Sequence, residues 1–155
     1  MNRLVITFLL LITLLGCSSM QDSAKFHALR FLPGEDVKVE IEKFVKSQDI
    51  KAGSIVSAVG SLTEVSLRFA NQEQLTNLKG HFEVVSLSGM VSSVSGSHLH
   101  MSVSDGKGKT VGGHIKEGNK IYTTLELVIA EYPSLVFKRE KCEFSGYNEL
   151  KVYPE

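Results

Sequence analysis

The 155-residue chain carries 17 basic and 17 acidic side chains, and 43% of its residues are hydrophobic. This length suits one domain with its own core. The balanced charge argues against a basic protein that grips nucleic acid nonspecifically through its phosphates. Removal of residues 1–16 would take away Arg3 and no acid, so the counts would change from 17 and 17 to 16 and 17.

The amino-terminal segment is typical of a secretion signal. Met1, Asn2 and Arg3 give a short positive start, and residues 4–15 form an almost unbroken apolar run without a charge. A helix that crosses the hydrocarbon core needs about 20 apolar residues, so this run is too short for a permanent anchor. We predict that residues 1–16 are a signal peptide that is removed.

The end of this run, Leu14-Leu15-Gly16-Cys17, resembles the lipobox of bacterial lipoproteins, whose cysteine is acylated and becomes the first mature residue. The sequence therefore predicts a lipid on Cys17 and a place in the bacterial cell envelope. Ser18 gives no acidic signal for retention at the inner membrane, so we expect the outer membrane, facing the periplasm, in a Gram-negative host. The alternative is an ordinary signal peptide followed by an incidental cysteine.

Small and polar residues over 17–25 predict a short lipidated tether, so the domain is expected over residues 26–155. Cys142 would be the one cysteine left after lipidation, which excludes an internal disulfide. We predict that Cys142 is a small, buried, nonpolar side chain.

The domain is predicted to begin with a strand and a helix. Loose alternation over residues 26–32 indicates the strand, Pro33-Gly34 interrupts it, and Glu35 and Asp36 are placed to cap a helix. The i, i+4, i+7, i+8 spacing of four apolar residues predicts the buried face of that helix: Val37, Ile41, Phe44 and Val45.

From Ser54 onward, apolar residues alternate with polar ones, which predicts strands. Turn signals lie at residues 105–108 and 117–119, residues 121–129 form a long apolar strand, and alternation returns at residues 150–152. Short turns favour antiparallel neighbours. The predicted fold class is therefore α+β, a mainly antiparallel sheet with a helix packed on one face.

Three histidines are candidates for a metal site. His98 and His100 are two residues apart on an alternating segment, so both rings should project from one face of the sheet. The turn after Asp105 should return the chain so that His114 meets them, with Gly112-Gly113 permitting a close backbone approach. Three imidazoles with an open fourth position suit zinc. Histidines that are simply hydrogen-bonded in a sheet would show the same spacing.

Glu83 and Glu126 lie within apolar strand stretches, where an unpaired acid is unfavourable. Each is a candidate partner of a metal-bound histidine or a candidate catalytic acid or base. The alternative is that each is an acid on an exposed edge.

Other polar residues are predicted to stay outside the site. His27 and His81 lie at predicted strand starts without matching partners and are interpreted as surface or rim residues. A basic cluster with acids interleaved is interpreted as a solvated face: Lys138, Arg139 and Lys141.

Five motifs together resemble the plant-and-prokaryote-conserved (PPC) domain, over residues 26–131. The motifs are Leu32-Pro33-Gly34-Glu35-Asp36, Ala58-Val59-Gly60-Ser61-Leu62, residues 80–89, His98-Leu99-His100 and Gly112-Gly113-His114. The resemblance implies an α+β domain that assembles as a homotrimer. In the prokaryotic branch it also implies that the H-x-H and G-G-H histidines are metal ligands.

The resemblance also carries a DNA-binding label, inherited from plant members with an AT-hook. This sequence has no Arg-Gly-Arg core of such a hook, and His81 stands where the plant-type pattern has arginine before Phe82-Glu83. The leading hypothesis is a lipid-anchored homotrimeric module that binds zinc or another divalent metal and an unidentified small molecule or protein. The alternatives are a DNA-binding protein and a metal-dependent hydrolase or lyase, although no nucleophile motif or cofactor loop favours an enzyme.

Overall fold

A computed structural model of the protein describes residues 23–155. Within this part, the chain forms eight strands and one helix. In chain order these are β1 (Lys25–Phe31), α1 (Val37–Ser47), β2 (Gly53–Arg68), β3 (Thr76–Ser92), β4 (Gly96–Asp105), β5 (Thr110–Ile115), β6 (Lys120–Glu131), β7 (Leu135–Lys141) and β8 (Asn148–Pro154). The described fold is the mainly antiparallel arrangement with one helix that the sequence predicts.

Six strands form one antiparallel sheet in the order β1-β6-β2-β3-β4-β5. Strand β5 also pairs with the end of β2, where Leu67 lies opposite Ile115 and Arg68 lies opposite His114. Irregular register in β2 and β3 marks bulges, which bend long strands and increase their twist. As a result, the carboxyl end of β2 meets the hairpin of β4 and β5.

Helix α1 packs on β3 and β6 through the face that its spacing predicts. Val37, Ile41 and Val45 are buried, and Phe44 packs against the core while staying partly exposed. Asp36 is the N-cap, and its carboxylate accepts the backbone N–H groups of Lys38 and Val39 at 3.1 and 3.2 Å. A cap of this kind stabilises a helix by about 1 kcal/mol.

The interior comes from the inward residues of alternating strands, and full burial of each large side chain stabilises the fold by roughly 1.5–3 kcal/mol. The buried strand residues include Leu62, Val65, Leu67, Val84, Leu87, Val91, Leu99, Met101, Val103, Ile115, Ile121, Leu125, Leu127 and Ile129.

Strands β7 and β8 form a separate two-stranded sheet at the carboxyl end. Phe137 anchors it, because its ring is buried, its N–H donates to the Lys51 carbonyl at 3.0 Å, and its carbonyl accepts Ser92 Oγ at 2.8 Å. The predicted burial of Cys142 is wrong. This residue opens the turn of the hairpin, is partly exposed, and is free.

The predicted signal peptide, the lipobox with Cys17 and most of the tether lie outside the described residues. Within residues 23–155, no helix combines the length and the hydropathy needed to cross a bilayer.

Candidate metal centre

Strand register brings three histidines together on one face of β4 and β5. His100 lies directly opposite His114, and His98 lies two residues earlier on the same side of β4. Leu99 and Met101, which alternate with these rings, are only 3% and 1% exposed on the opposite face. The period of two therefore separates core residues from site residues on a single strand.

The ring nitrogens of the three histidines point at one another. His114 Nδ1 lies 2.9 Å from His100 Nε2 and 3.3 Å from His98 Nε2, and one nitrogen from each ring falls within 4.8 Å of the other two. Nitrogens that bind zinc at 2.0–2.1 Å in a tetrahedron are about 3.4 Å apart. The donor set and its spacing thus fit a tetrahedral divalent ion with one position left for another ligand.

Two glycines allow the backbones beside these rings to approach closely. A Cβ on Gly113 would lie 2.7 Å from the carbonyl oxygen of Arg68. Gly89, at φ +140°, lies opposite Leu99, and a Cβ there would collide with the carbonyl of His98. Any side chain at either position would displace a strand that carries part of the site.

The surroundings of the cluster favour the neutral forms of His98 and His114. The pKa of His114 is lowered to about 4, first by burial and then by His100, Arg68, His98 and Lys116. Burial and the Arg139 guanidinium also lower the pKa of His98. Only a neutral imidazole has a lone pair for a metal ion, so the electrostatics favour the ligating form.

Arg139 reaches the cluster from β7. Its Nη1 donates to His98 Nδ1 at 3.1 Å, its Nη2 donates to the Asn148 carbonyl, and its side chain is 22% exposed. The prediction of a solvated face is therefore wrong for Arg139. No sequence pattern joins Arg139 to His98, because the contact depends on how the carboxyl-terminal hairpin docks.

The hydrogen bond between Arg139 and His98 runs in the opposite direction to the one that a metal-bound histidine usually makes. A ligating imidazole normally donates its second N–H to a carboxylate or a carbonyl. A guanidinium can only donate, so His98 Nδ1 is the acceptor here. If His98 Nε2 binds an ion, Nδ1 of the neutral ring carries the proton, and Arg139 must then move away.

An open cleft of about 550 Å³ borders the histidines. Arg68 and Lys116 line it from the β2 and β5 side, and Arg139 and Glu149 line it from the hairpin, together with His98 and His114. Sequence reasoning missed Arg68, Lys116 and Glu149. The pairing of β2 with β5 that places Arg68 opposite His114 joins strands that are not consecutive in the chain.

The two candidate acids lie elsewhere. Glu83 is exposed on β3, where its neighbours on the adjacent strands are Ser61 and Ser104. Glu126 is exposed on β6, where its neighbours on the adjacent strands are Val59 and Arg30. Neither acid lines the cleft beside the histidines.

The other two histidines also stay apart from the cluster. His27 lies within β1, with Nε2 at 2.8 Å from Glu131, and His81 lies inside β3, with its ring 4.4 Å from that of Tyr122.

Comparison with known families agrees with the resemblance seen in the sequence. Residues 18–133 match the family model described as the Plants and Prokaryotes Conserved (PCC) domain. A solved structure of a plant- and prokaryote-conserved (PPC) protein from Pyrococcus horikoshii superposes with a TM-score of 0.69 at 24% identity. It covers 83% of this chain and 93% of its own.

Curated relatives contain the similar region within longer proteins. A bifunctional protein GlmU from a Synechococcus strain is 42% identical over 132 residues, which is 85% of this chain and 21% of that protein. The AT-hook motif nuclear-localized protein 13 of Arabidopsis thaliana is 35% identical over 97 residues, which is 56% of this chain and 22% of that protein. The chain thus spans about a fifth of the length of these curated relatives.

Solved structures share the fold over nearly their whole length. A hypothetical protein from Salmonella enterica is 46% identical with a TM-score of 0.84, covering 86% of this chain and 96% of its own. A metal-containing protein from Archaeoglobus fulgidus is 25% identical with a TM-score of 0.71, and the match covers 82% of this chain and 93% of that protein. A candidate DNA-binding protein from Bacteroides thetaiotaomicron is 22% identical with a TM-score of 0.71, and the match covers 83% of this chain and 96% of that protein.

Proposed function

Because this chain belongs to the Plants and Prokaryotes Conserved domain family, here the PPC family, we propose that its domain is a binding module for a divalent metal ion. The ion, zinc by preference, is held by His98, His100 and His114. The observation that carries this proposal is the convergence of three ring nitrogens with separations of 2.9 and 3.3 Å. The metal-containing relative from Archaeoglobus fulgidus supports the same conclusion.

The donor set favours zinc over magnesium or calcium, since imidazole nitrogen suits the later transition metals and oxygen suits the harder ions. A bound ion would supply a Lewis-acidic position at which a small molecule or a protein side chain can coordinate. The chain's own contribution is to present three imidazoles from two paired strands backed by a packed core. We propose a binding module in preference to an enzyme because Glu83 and Glu126 lie away from the cleft.

Metal analysis of the full chain, purified without chelator, tests the proposal. We expect about one equivalent of zinc per chain, and none in a variant in which all three histidines are changed to alanine. A variant carrying His27→Ala and His81→Ala is the matched control and should keep its metal. Absence of stoichiometric metal in the unchanged protein would overturn the proposal.

We further propose that the mature protein is anchored to the bacterial envelope through lipid on Cys17, in the outer membrane of a Gram-negative host. The apolar run over residues 4–15 and the lipobox that ends at Cys17 support this. In cell fractionation, Cys17→Ser should release the protein from membranes, whereas Cys142→Ser should leave it membrane-bound. Equal fractionation of both variants would contradict lipidation at Cys17.

A homotrimer is the assembly that we propose. Apolar side chains on the neighbouring strands β2, β3 and β6 are 46–59% exposed, and such surfaces often mark protein contacts: Val56, Val59, Val85 and Tyr122. Three linked lipid chains would also hold one assembly far more firmly than a single chain holds a monomer.

Light scattering after size exclusion tests the assembly. Val59→Asp should dissociate the trimer, while Val39→Asp, on the exposed side of α1, should not. A monomeric unchanged protein would contradict the proposed trimer.

DNA binding is the second candidate, and the names of the relatives favour it more than they favour metal binding. The plant relative has an AT-hook name, and the Bacteroides neighbour is a candidate DNA-binding protein. The formal net charge of zero and the lack of an Arg-Gly-Arg sequence oppose it here.

Fluorescence anisotropy with duplex DNA at low salt separates the two candidates. Phosphate contacts are strongest at low salt, so weak binding there supports the metal module. Tight binding that is lost as salt rises would establish the DNA-binding alternative.

A further inference from the structure

We propose that the cleft beside the three histidines binds a small organic anion, whose carboxylate or phosphate group is held by Arg68 and Arg139. The inference deepens the proposed function because it names the ligand class of the same site. It rests on that function only for the ion next to the cleft, since the two arginines belong to the chain itself.

The size of the cleft suits a small molecule. Its volume of about 550 Å³ falls within the usual range of small-molecule sites, roughly 300–1,000 Å³. One wall contains the end of β2 and the end of β5, and the other contains the turn and the strands of the β7–β8 hairpin. A ligand in the cleft would therefore lie against His98 and His114.

The charge of the cleft selects an anion. Arg68, Lys116 and Arg139 line it with three positive charges, and Glu149 contributes one negative charge. A bound divalent ion would add to this positive charge.

The two guanidinium groups are positioned and still have donors to offer. Arg68 Nη1 donates to the Gln72 carbonyl at 3.1 Å, and Arg139 is held by His98 and the Asn148 carbonyl. A guanidinium has five N–H donors. Within residues 23–155, hydrogen bonds engage one donor of Arg68 and two of Arg139, so each group retains donors for a planar oxyanion.

Metal binding and anion binding should strengthen each other through Arg139. If His98 Nε2 held a metal ion, Nδ1 of the neutral ring would carry the proton, so Arg139 would leave His98 and become free for an oxyanion. An anion that draws Arg139 away removes the same obstacle to the metal. Coupling of this kind is reciprocal, so each ligand should raise the affinity for the other by the same factor.

The carboxyl-terminal hairpin supplies one half of the cleft. Arg139, Tyr147, Asn148 and Glu149 all lie beyond residue 133, where the match to the family model ends. The histidines and Arg68 lie inside the matched region. Part of the proposed anion site therefore lies outside the region that the family model matches.

Calorimetric titration of the full chain tests the inference, first with metal removed. The probes are succinate and inorganic phosphate in a chloride buffer. We expect binding of at least one of them, weakened about tenfold or more by Arg68→Gln and by Arg139→Gln, because each change removes charge-assisted hydrogen bonds. Lys43→Gln removes one charge from the exposed side of α1 and should leave the affinity unchanged.

Two further variants keep the result interpretable. Arg68→Lys and Arg139→Lys retain the positive charge but lose the planar, two-pronged donor geometry of the guanidinium. Provided that circular dichroism shows both variants to be folded, they should bind the anion with intermediate affinity. The probe that binds with the higher affinity shows whether the cleft prefers a carboxylate or a phosphate group. Heat of binding that is absent for both probes, or equal in all variants, would overturn the inference.

A repeat of the titration with one equivalent of cobalt or zinc separates this inference from the proposed function. Tighter anion binding in the metal-loaded protein is the expected result. Metal binding with no anion binding would overturn the inference and leave the metal module standing. Anion binding by a protein that takes up no metal would overturn the metal module and leave the arginine site standing.

Discussion

The molecule contains two kinds of histidine site on its sheet, and they differ in the charge of their neighbours. His27 on β1 lies 2.8 Å from Glu131, with its ring edge against Phe44. Burial raises the pKa of Glu131, but hydrogen bonds from His27 and Lys25 outweigh it and leave that pKa lowered. The partner of His27 is therefore a negatively charged carboxylate.

The cluster on β4 and β5 has other imidazoles and a guanidinium where His27 has an acid. His114 faces His98 and His100, and Arg139 faces the far side of His98. Cations favour neutral rings, and neutral rings carry lone pairs. Residue type alone therefore does not decide the surroundings of a histidine, since His27 faces a carboxylate, whereas His98 and His114 have pKa values lowered first by burial and then by neighbouring cations.

The largest expected effect comes from removing one ring of the cluster. His114→Asn should lower zinc affinity by at least about 100-fold, because loss of a ligand exceeds the 10–100-fold effect of losing a group behind a ligand. His27→Asn should leave the zinc affinity unchanged. Competition titration with a chromophoric chelator measures both, and equal losses would erase the distinction between the two sites.

Close backbone packing behind the cluster predicts the next effect. Gly113→Ala places a methyl group 2.7 Å from the Arg68 carbonyl and should destabilise the fold by about 1–3 kcal/mol. Gly106→Ala is the matched control, because an added Cβ there meets nothing within 4 Å. Urea unfolding should show a lowered midpoint for Gly113→Ala only. A midpoint equal to that of the control would mean that β2 and β5 are not held together as described.

The stability of the metal-free protein should fall in acid because of the cluster. The unfolded chain protonates its histidines near pH 6.5, while folded His114 stays neutral down to about pH 4. The unfolded state therefore binds more protons between these values, and stability decreases as the pH falls from 6.5 to 4.

His114→Gln should flatten this acid dependence of the thermal midpoint, because the folded and unfolded states then no longer differ in proton binding at this position. Thermal unfolding at several pH values provides the measurement. The same slope in the unchanged protein and in His114→Gln would contradict the lowered pKa of His114.

The smallest expected effect comes from Arg139. Arg139→Gln removes a donor that competes with the metal for His98 and supplies an amide oxygen that can accept the Nδ1 proton, so zinc affinity should rise about 2–10-fold. Lys138→Gln changes the charge of the neighbouring exposed residue and should have little effect. A fall in affinity for Arg139→Gln would show that Arg139 supports metal binding instead of opposing it.

The sequence predicts local geometry well in this molecule. The proximity of His98, His100 and His114 follows from alternation on one strand and from the tight turn after Asp105, and both signals lie within 17 consecutive residues. The helix face and its Asp36 cap are likewise encoded by local spacing.

Contacts between distant segments could not be predicted in this way. Arg139 is separated from His98 by 41 positions, and its role depends on docking of the β7–β8 hairpin. Cys142 was predicted to be buried from its residue type, whereas its place in the hairpin turn keeps it partly exposed. Arg68 enters the cleft only because bulges let β2 reach β5.

Anomalous diffraction at the zinc absorption edge, from crystals grown without chelator, tests the central claim most directly. The account predicts one peak per chain at about 2.0–2.1 Å from His98 Nε2, His100 Nε2 and His114 Nδ1, with the Arg139 guanidinium turned away from His98. The absence of a peak there, with Arg139 still on His98 in a zinc-containing crystal, would contradict the metal centre.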